Sequence, residues 1–487
     1  MFSLISTILF YSFLVYCVLS FIKKNKKRTK NDPPMPSFNL PFLGSTYRFE
    51  SSVVQSLLKF TKQYGKVNAL WVGDLYTLNV ADAVYIKEIW TKHIDNFIDR
   101  PNTKILAALS DDHTGLIGSG GKEWNRNKEL IGGYFSSLKL KSQLPRISEL
   151  CMQTIDKLTK QPNTPINPRG VFREYSMDVN TGLILSLEPS QMNKQYREME
   201  GRFDRFLHGN SPASLFYCID ILSILFSYKF TDARKQRQYL IDYVKSIYDD
   251  HVSTLDPEKP RDLMDKMIME EGDEMSIINT VIDFYLGGVD TTALVLQLFF
   301  LSVTNNEGVQ DKVYEELKSL ASKRQSELGL DSTTEPYQFT FADRLETPYL
   351  NAVIKESLRI YPPTPNSILR ECNQDIMVGD YFIRKGAMVI QNIWAVHHDE
   401  DYYPEPNKFI PERFLEDNHA SHYFPFGIGG RSCPGSNVAD ITLFLLCANL
   451  LSRFKIKSED GGSNIKCDIK DGIMLHLSPF KVLFDQR

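Results

Sequence analysis

The 487-residue sequence lacks the features that usually divide or cross-link a chain. It has no Gly/Ser-rich linker, internal repeat or low-complexity segment, which favours one large domain over several small ones. The seven cysteines are odd in number and scattered, and they include no Cys-x-x-Cys pair. They therefore indicate a reducing compartment and argue against a disulfide framework or a zinc site. The net charge of −4, with both signs interspersed, gives no indication of nucleic-acid binding.

Nucleotide-binding motifs are missing as well. The sequence contains no nicotinamide or flavin motif and has no spare length for a reductase domain. The glycine-rich run Gly427–Arg431 could be a phosphate loop, but the Lys-Ser/Thr pair of that motif is absent. If this chain carries out redox chemistry, its electrons must come from another protein.

The stretch Phe426–Gly435 is the most informative part of the sequence. Its glycines allow tight turns and the close approach of a bulky partner, and an apolar helix is predicted over Val438–Leu450. Cys433 would lie near the start of that helix, where backbone N–H groups favour a thiolate, and Arg431 could neutralise an acid group. A thiolate with such neighbours is typical of an axial haem ligand. The alternative is an ordinary buried thiol.

The spacing of Phe426, Gly429, Arg431, Cys433 and Gly435 resembles the signature of the cytochrome P-450 family. The resemblance implies a mainly α fold with small β-sheets and a single large haem domain. It also implies a thiolate-ligated haem b with Cys433 as the axial ligand of the iron. In that arrangement, Phe426 would pack near the sulfur and tune the potential of the iron.

A second motif lies in the apolar segment Met275–Thr304, which is predicted to be a buried helix because acidic residues inside it would be costly in a membrane. The run Gly287–Thr292 predicts a local opening of that helix, or else a simple packing kink. The resemblance implies that the opening admits O₂ and water, and that Asp290 and Thr291 relay protons.

Further motifs would hold the haem. Trp124 and Lys128 lie four residues apart on a predicted helix and could reach one anionic group, although a core Trp beside a solvated Lys remains the alternative. Family members have Arg at the second position, and the Lys here loses the bidentate fork. The resemblance assigns a haem propionate to Arg370 as well, which could otherwise be a surface arginine.

Glu356 and Arg359 share one helix face at i and i+3, a spacing also common in exposed ion pairs. The resemblance implies that they form a buried ion triad with Arg413 behind the haem.

The N-terminus predicts membrane attachment. Phe2–Ile22 is apolar and uncharged, long enough to cross a bilayer core of about 30 Å, and is followed by a cluster of Lys and Arg. The expected organisation is an anchor over 1–22, a basic and Pro-rich hinge over 23–44 and a haem domain over 45–487. The charge cluster predicts a single-pass protein with a cytosolic domain, and a cleaved signal peptide is the alternative. The resemblance, to microsomal members of the family, implies the membrane of the endoplasmic reticulum.

Local patterns give a few more elements. Helical spacing covers Ser51–Tyr64, and two apolar runs around Gly73-Asp74 predict a β-hairpin. Pro365–Arg370 is expected to be a strand, and Asp471–Leu475 a hairpin turn.

The resemblance places the substrate pocket along four mostly apolar stretches, which suits a lipophilic substrate. Ser367, Ile368 and Ile473 would line the pocket, and Leu207–Phe230 would form a lid. The stretches are 101–118, 203–230, 367–368 and 472–475.

We therefore expect a monooxygenase that inserts one atom of O₂ into an organic substrate. Its partner would be NADPH–cytochrome P-450 reductase docked on the cysteine side, and a cytochrome b-type protein is allowed as a further donor. Two alternatives stay open: a haem-thiolate isomerase or dehydratase acting on a peroxide, and a non-catalytic haem carrier or sensor. The intact Asp290-Thr291 pair speaks against both.

Overall fold

The computed structural model describes most of the chain. At residues 2–6, 9 and 227–233 it describes the backbone but not the side chains. The described residues are 2–26, 29–103, 106–107, 110, 114–162, 164–187, 227–270, 272–329, 336–416, 419 and 421–487. Helices predominate in this part and are accompanied by small sheets, as predicted.

The helices are α1 Phe2–Lys24, α2 Val53–Tyr64, α3 Ala83–Lys87, α4 Gly115–Gly118, α5 Gly121–Ile131, α6 Ser137–Leu140, α7 Leu144–Thr159, α8 Pro168–Leu185, α9 Ser227–Thr254, α10 Leu263–Met269, α11 Glu274–Asn305, α12 Val309–Leu328, α13 Pro348–Ile360, α14 Ile393–His397, α15 Arg413–Glu416 and α16 Ser436–Leu451. The strands are β1 Val67–Val72, β2 Leu75–Val80, β3 Arg370–Glu371, β4 Ile376–Val378, β5 Tyr381–Ile383, β6 Met388–Gln391, β7 Phe454–Ser458, β8 Ile469–Lys470, β9 His476–Leu477 and β10 Val482–Gln486. Short 3-10 turns lie at Thr46–Arg48, Ile94–Asn96, Lys141–Gln143, Phe341–Glu346 and Gly429–Arg431, and a π-helical turn lies at Glu88–Lys92.

The largest sheet has the strand order β1-β2-β6-β3. β1 and β2 form the predicted antiparallel hairpin around Gly73-Asp74, with Val67 opposite Val80. β6 runs parallel to β2 and antiparallel to β3, which sets Arg370 opposite Val389 at the end of the sheet. The pairing therefore fixes the backbone of a predicted site residue.

One strand prediction was wrong. Of Pro365–Arg370 only Arg370 is in a strand, because Ser367 has a positive φ of 52°, which a β-strand does not accommodate. The backbone N–H of Ser367 donates to the Thr364 carbonyl and closes a turn there. The predicted turn over Asp471–Leu475 is present between β8 and β9.

The core is built around α11. Among the helices whose side chains are described throughout, it is the one that is long and apolar enough to cross a membrane, but 83 % of its most apolar part is buried in the protein. It is therefore a core helix, as predicted. It runs without interruption, so the expected opening at Gly287–Thr292 is not a break in the helix.

α8 lies against α11 and forms polar contacts with it. The Ser176 hydroxyl donates to the Gly288 carbonyl at 3.0 Å, and the Tyr285 hydroxyl donates to Thr181 Oγ1 at 2.8 Å. An ideal Cβ at Gly288 would lie 2.4 Å from Asn180 Oδ1, so a larger residue there would displace the Asn180 side chain.

The segment after α1 is attached to the rest of the molecule. α1 continues through Lys24, beyond the expected end of the anchor at residue 22. Asp32 pairs with Arg384 at 2.7 Å, and the Pro34 carbonyl accepts from the backbone of Ala69 at 2.8 Å. The assignment of 1–22 as anchor, 23–44 as hinge and 45–487 as haem domain stays a prediction.

The predicted lid, Leu207–Phe230, lies outside the described residues up to 226, and 227–230 begin α9. Residues 203–206 are also outside, as are parts of the 101–118 stretch, namely 104–105, 108–109 and 111–113.

Candidate active site

The loop before α16 is closed on itself and has glycine where a side chain would not fit. The backbone N–H of Cys433 donates to the Phe426 carbonyl at 2.9 Å. Gly429 has a φ of +78°, and an ideal Cβ there would lie 1.7 Å from the carbonyl oxygen of Trp90. Only glycine satisfies both conditions. The half-buried Phe426 packs against the main core at the start of this loop.

The Cys433 side chain is accessible to solvent although protein surrounds it, which is the environment of a residue lining an internal cleft. Burial raises the pKa of the Cys433 thiol, and a hydrogen bond from the Gly435 backbone acts in the opposite direction. Burial outweighs this hydrogen bond, and the role of Cys433 as a thiolate ligand stays a prediction. A metal cation bonded to the sulfur would offset the cost of burial.

Three guanidinium groups converge beside this loop. Arg431 Nη1 donates to the Leu116 carbonyl at 3.1 Å, and Nη2 donates to the Ser119 carbonyl. Arg370 Nη2 lies 3.4 Å from the Arg431 carbonyl oxygen. Arg100 donates from Nη1 to the carbonyls of residues 368 and 369, each at 2.8 Å. The first of these acceptors is the predicted pocket residue Ile368.

The cluster contains more positive charge than the carboxylates nearby neutralise. Burial lowers the pKa of Arg431 to about 8, and repulsion from Arg100 adds to this while Asp99 opposes it. Burial also lowers the pKa of Arg100 to about 10, against the attraction of Asp283. The pKa of Arg370 is lowered well below its ordinary value by burial and by both neighbouring arginines.

Unused donors point to an anionic ligand at this cluster. Among the described residues, Arg370 Nε and Nη1 and Arg431 Nε are buried without a hydrogen-bond partner. Since a guanidinium stays charged in proteins, a group with two carboxylates would supply both the missing acceptors and the missing negative charge. A haem, with two propionates and an iron ion, fits these donors and Cys433.

The structure brings Trp124 and Lys128 to the same place. The Arg431 guanidinium lies 4.3 Å from the Trp124 ring centroid, and Lys128 Nζ lies 4.9 Å from it. Lys128 Nζ would be 3.9 Å from a Cβ built on Gly430. A propionate contact of Lys128 stays a prediction.

One short stretch of α11, which we call the opening, is accessible to solvent. Between Ser276 and Thr304, every residue is buried except Gly287, Gly288 and Thr291. Thr291 Oγ1 donates to the Gly287 carbonyl, so the hydroxyl lies at this opening.

Asp290 is turned away from the opening. Its carboxylate accepts from Arg173 Nε of α8 at 2.9 Å, and both side chains are buried. The structure therefore separates the two residues that sequence analysis treated as one proton-relay unit.

Glu356, Arg359 and Arg413 form a buried ion cluster. Arg359 binds Glu356 through two hydrogen bonds of 2.7 and 2.8 Å, and Arg413 Nε lies 3.2 Å from Glu356 Oε1. Arg359 Nη1 also donates to the His397 carbonyl, and the Phe424 backbone donates to His397 Nε2 at 3.0 Å. Phe424 lies two residues before Phe426, so this cluster supports the cysteine loop from behind.

The remaining predicted pocket residues are dispersed. Ser367 occupies the tight turn before β3, and its buried Oγ has no hydrogen-bond partner among the described residues. Ile473 lies between β8 and β9 and is 56 % exposed. Their contact with substrate stays a prediction.

Sequence analysis missed Arg100 and treated Asp283 only as one of the acidic residues within the apolar segment. Asp283 accepts from the backbone N–H groups of Leu116 and Ile117, each at 2.7 Å, and burial raises its pKa to about 6. Since Arg431 binds the carbonyl of Leu116, the short helix α4 connects α11 to the cysteine loop. The signal for Asp283 was a carboxylate in an apolar helix, which requires a partner.

Comparisons with known proteins agree with this site. The Cytochrome P450 family model matches residues 33–484. Similar proteins include three from Dictyostelium discoideum: "Probable cytochrome P450 508C1" (30 % identity, 98 % of each chain), "Probable cytochrome P450 508A4" (32 %, 97 % of each chain) and "Probable cytochrome P450 508A2" (31 %, 99 % of each chain). The chain therefore belongs to the cytochrome P450 family and is a P450 monooxygenase, a class that uses a thiolate-bound haem.

Proposed function

We propose that this protein inserts one oxygen atom from O₂ into a lipophilic organic substrate, using a haem b bound through Cys433. The observation that carries the proposal is a solvent-accessible cysteine on a closed loop beside three under-neutralised arginines. The bound haem supplies the O₂ chemistry, with the second oxygen atom reduced to water.

The residues that would hold the haem follow from the charges described above. Cys433 is the iron ligand, and Phe426 shapes the loop that presents it. Arg370 and Arg431 bind the propionates, with Trp124 stacked on Arg431 and Lys128 beside it. Arg100 completes this set, since its charge faces the same cluster.

Thr291 and Asp290 have different tasks in the proposed proton relay. The Thr291 hydroxyl lies at the opening of α11, where it can hold water against the helix. Asp290 exchanges protons with that water only when its carboxylate turns from Arg173 toward the opening.

The electron donor is proposed to be an NADPH-dependent flavoprotein reductase, with a cytochrome b-type protein as a further donor. A surface hollow of about 530 Å³ lies beside the cysteine loop and is lined in part by Lys128, Tyr134 and Pro434. The exposed cations Arg126 and Lys139 lie on α5 and α6 close to it in the chain. This face suits an acidic partner. Turnover with NADPH alone would contradict the need for a separate donor.

The proposed location is the endoplasmic reticulum membrane, with α1 as a single-pass anchor and the catalytic domain in the cytosol. The length and apolar composition of α1 and the exposed Lys23 and Lys26 at its end support this location.

The decisive experiment is the carbon monoxide difference spectrum of the dithionite-reduced protein. We expect the long-wavelength Soret band of thiolate-bound haem, its complete loss in Cys433→Ala and its retention in the control Cys467→Ala. Cys467 is a half-buried thiol near β8. A thiolate-type band that persists in Cys433→Ala would refute the proposed ligand.

A further inference from the structure

Two histidines, which we call the histidine pair, face one another between α15 and the cysteine loop. His419 Nδ1 lies 2.9 Å from His422 Nε2. The outer nitrogen of each ring has a partner as well. His419 Nε2 lies 3.1 Å from the Arg413 carbonyl oxygen, and the other ring is bonded through Nδ1 to the Ser421 hydroxyl at 2.7 Å. The two rings and their outer partners therefore form one continuous hydrogen-bonded row.

The Arg413 carbonyl fixes the protons of this row when both rings are neutral. A carbonyl only accepts, so His419 carries its proton on Nε2 and accepts at Nδ1. His422 then donates from Nε2 and accepts at Nδ1 from the Ser421 hydroxyl. A hydroxyl can accept as well as donate. If the proton of His422 moves to Nδ1, both outer bonds are kept and two nitrogen lone pairs face each other across 2.9 Å.

Two imidazole lone pairs at this separation suit a metal ion. Zinc–nitrogen bonds are about 2.0–2.1 Å long, so two nitrogens on one ion lie about 2.9 Å apart at a right angle and about 3.3 Å apart at the tetrahedral angle. Histidines that bind metals usually donate their other N–H to an oxygen acceptor. The Arg413 carbonyl is such an acceptor for His419, and the Ser421 hydroxyl has the equivalent position in the row.

Neighbouring rings hold the histidine pair in this orientation. The Tyr402 ring stacks on His422 at a centroid distance of 4.8 Å. The Tyr403 ring lies 5.0 Å from the His419 ring. Both histidines are half-buried and Ser421 is exposed, so an ion can reach the pair from solvent.

We propose that His419 and His422 together bind a late first-row divalent metal ion such as Zn²⁺, with water completing its coordination. Neutral imidazole suits zinc, copper and nickel, whereas Mg²⁺ and Ca²⁺ prefer oxygen ligands. The site shares no residue with the proposed haem site, and the inference does not rest on the proposed function.

A bound ion braces the segment that leads into the cysteine loop. The His419 carbonyl accepts from the backbone N–H groups of His422 and Tyr423, each at 3.0 Å. The Tyr423 ring stacks on the His397 ring at 5.6 Å, and His397 Nε2 accepts from the backbone N–H of Phe424. Since Phe424 is followed by the cysteine loop, fixing the histidine pair stabilises the start of that loop.

Zinc titration of the full-length holoprotein, without an affinity tag, tests the site. Isothermal titration calorimetry with Zn²⁺ alone should show one site whose affinity falls at least tenfold in His419→Gln and in His422→Gln. The control His476→Gln, at an exposed histidine on β9, should bind Zn²⁺ as wild type does. X-ray absorption at one equivalent of Zn²⁺ should show imidazole ligands at about 2.0 Å and no sulfur ligand at about 2.3 Å.

Ser421→Ala tests the site while keeping both ligands. It removes the outer hydrogen bond of His422, and we expect zinc affinity to fall about 10-fold with a normal carbon monoxide spectrum. If the two glutamine variants do not fold, unchanged zinc affinity in Ser421→Ala overturns the proposal.

The remaining outcomes are equally decisive. Equal zinc binding in wild type and in both glutamine variants would overturn the site. A loss in only one of these variants would indicate a single imidazole ligand and refute binding by the pair. A sulfur ligand would assign the ion to a cysteine. Bound Zn²⁺ should also at least double the half-life of the thiolate-type carbon monoxide band during heating. An equal gain in His422→Gln, or no gain in wild type, would refute the bracing of the cysteine loop.

Discussion

Arg370 shows how a single side chain can be unfavourable for the protein and favourable for its ligand. Two of its nitrogens are buried without a partner among the described residues, and Arg100 and Arg431 repel its charge. A guanidinium in this position raises the energy of the protein alone. Only the binding of an anion recovers that energy.

We therefore predict effects of opposite sign for Arg370→Gln. The haem-free protein should be as stable as wild type or more stable, because a buried repulsive charge is removed. Haem affinity should decrease by about 10- to 100-fold, since hydrogen bonds to charged groups contribute about 1.5–3 kcal/mol. Haem transfer to a competing apoprotein and denaturant unfolding measure the two effects. The exposed Lys385→Gln is the control and should change neither. A destabilised apoprotein with unchanged haem affinity would contradict the assignment.

Glu356 has the opposite character, since it holds two arginines inside the protein. Glu356→Gln leaves Arg359 and Arg413 without their full counter-charge, and we expect a loss of about 3–5 kcal/mol in unfolding free energy. The exposed pair of Glu50 and Lys59 provides the matched control. There, Glu50→Gln should cost less than about 1 kcal/mol. Urea unfolding measures both variants. Equal losses of unfolding free energy in Glu356→Gln and Glu50→Gln would show that burial of the triad does not increase its contribution to stability.

At the scale of elements, the short helix α4 is hydrogen-bonded both to α11 and to the arginine cluster. It is held by Asp283 of α11 on one side and by Arg431 and Arg100 on the other. These hydrogen bonds connect α11 to the cysteine loop through α4. α4 thus lies between α11, which contains the opening, and the cysteine loop, which leads into α16.

The junction of α9 and α10 contains a histidine, His251, whose pKa is raised by a neighbouring carboxylate. His251 Nε2 lies 2.9 Å from Asp262 Oδ2. Burial would lower the pKa of His251, but the hydrogen bond and charge of Asp262 outweigh it, and the net pKa is raised above 6.5 while Arg261 opposes the rise.

A raised histidine pKa stabilises the folded protein at low pH. The contribution is complete below about pH 6.5 and disappears as the pH rises through the higher folded-state pKa. We predict that unfolding free energy decreases over this window in wild type and that His251→Gln, which can still donate to Asp262, removes this decrease. Denaturant unfolding at several pH values tests this. An unchanged pH profile in the variant would exclude His251 as the source.

How far the sequence predicts each element depends on the range of its interactions. The hairpin of β1 and β2 and the helix after Cys433 were predicted because their signals are local in the chain. The strand predicted at Pro365–Arg370 was wrong except at Arg370, since the positive φ of Ser367 has no local sequence signal. The partner of Asp290 lies 117 residues away in the chain, and no spacing rule relates the two. Arg100 was missed for the same reason.

For the molecule as a whole, the cysteine-side face determines how electrons arrive. We predict that Arg126→Glu, a charge reversal at an exposed position of α5, raises the KM for the reductase several-fold. The difference in KM between the variant and wild type should decrease as salt is added, because the electrostatic screening length falls to about 8 Å at physiological ionic strength. The carbon monoxide spectrum should remain normal. Lys59→Glu on α2 is the control. A salt-independent effect, or an equal effect of the control, would argue against docking at this face.

The fit of Gly429 beneath Trp90 affects how mutational data on this protein should be interpreted. A saturation survey scored only by product formation would place Gly429 beside Cys433 among the positions that accept no replacement. Gly429 has no reactive group, and its intolerance arises because any other side chain would overlap the Trp90 carbonyl oxygen. Scoring protein abundance alongside activity separates the two classes: variants at 433 accumulate as inactive protein, whereas variants at 429 are depleted.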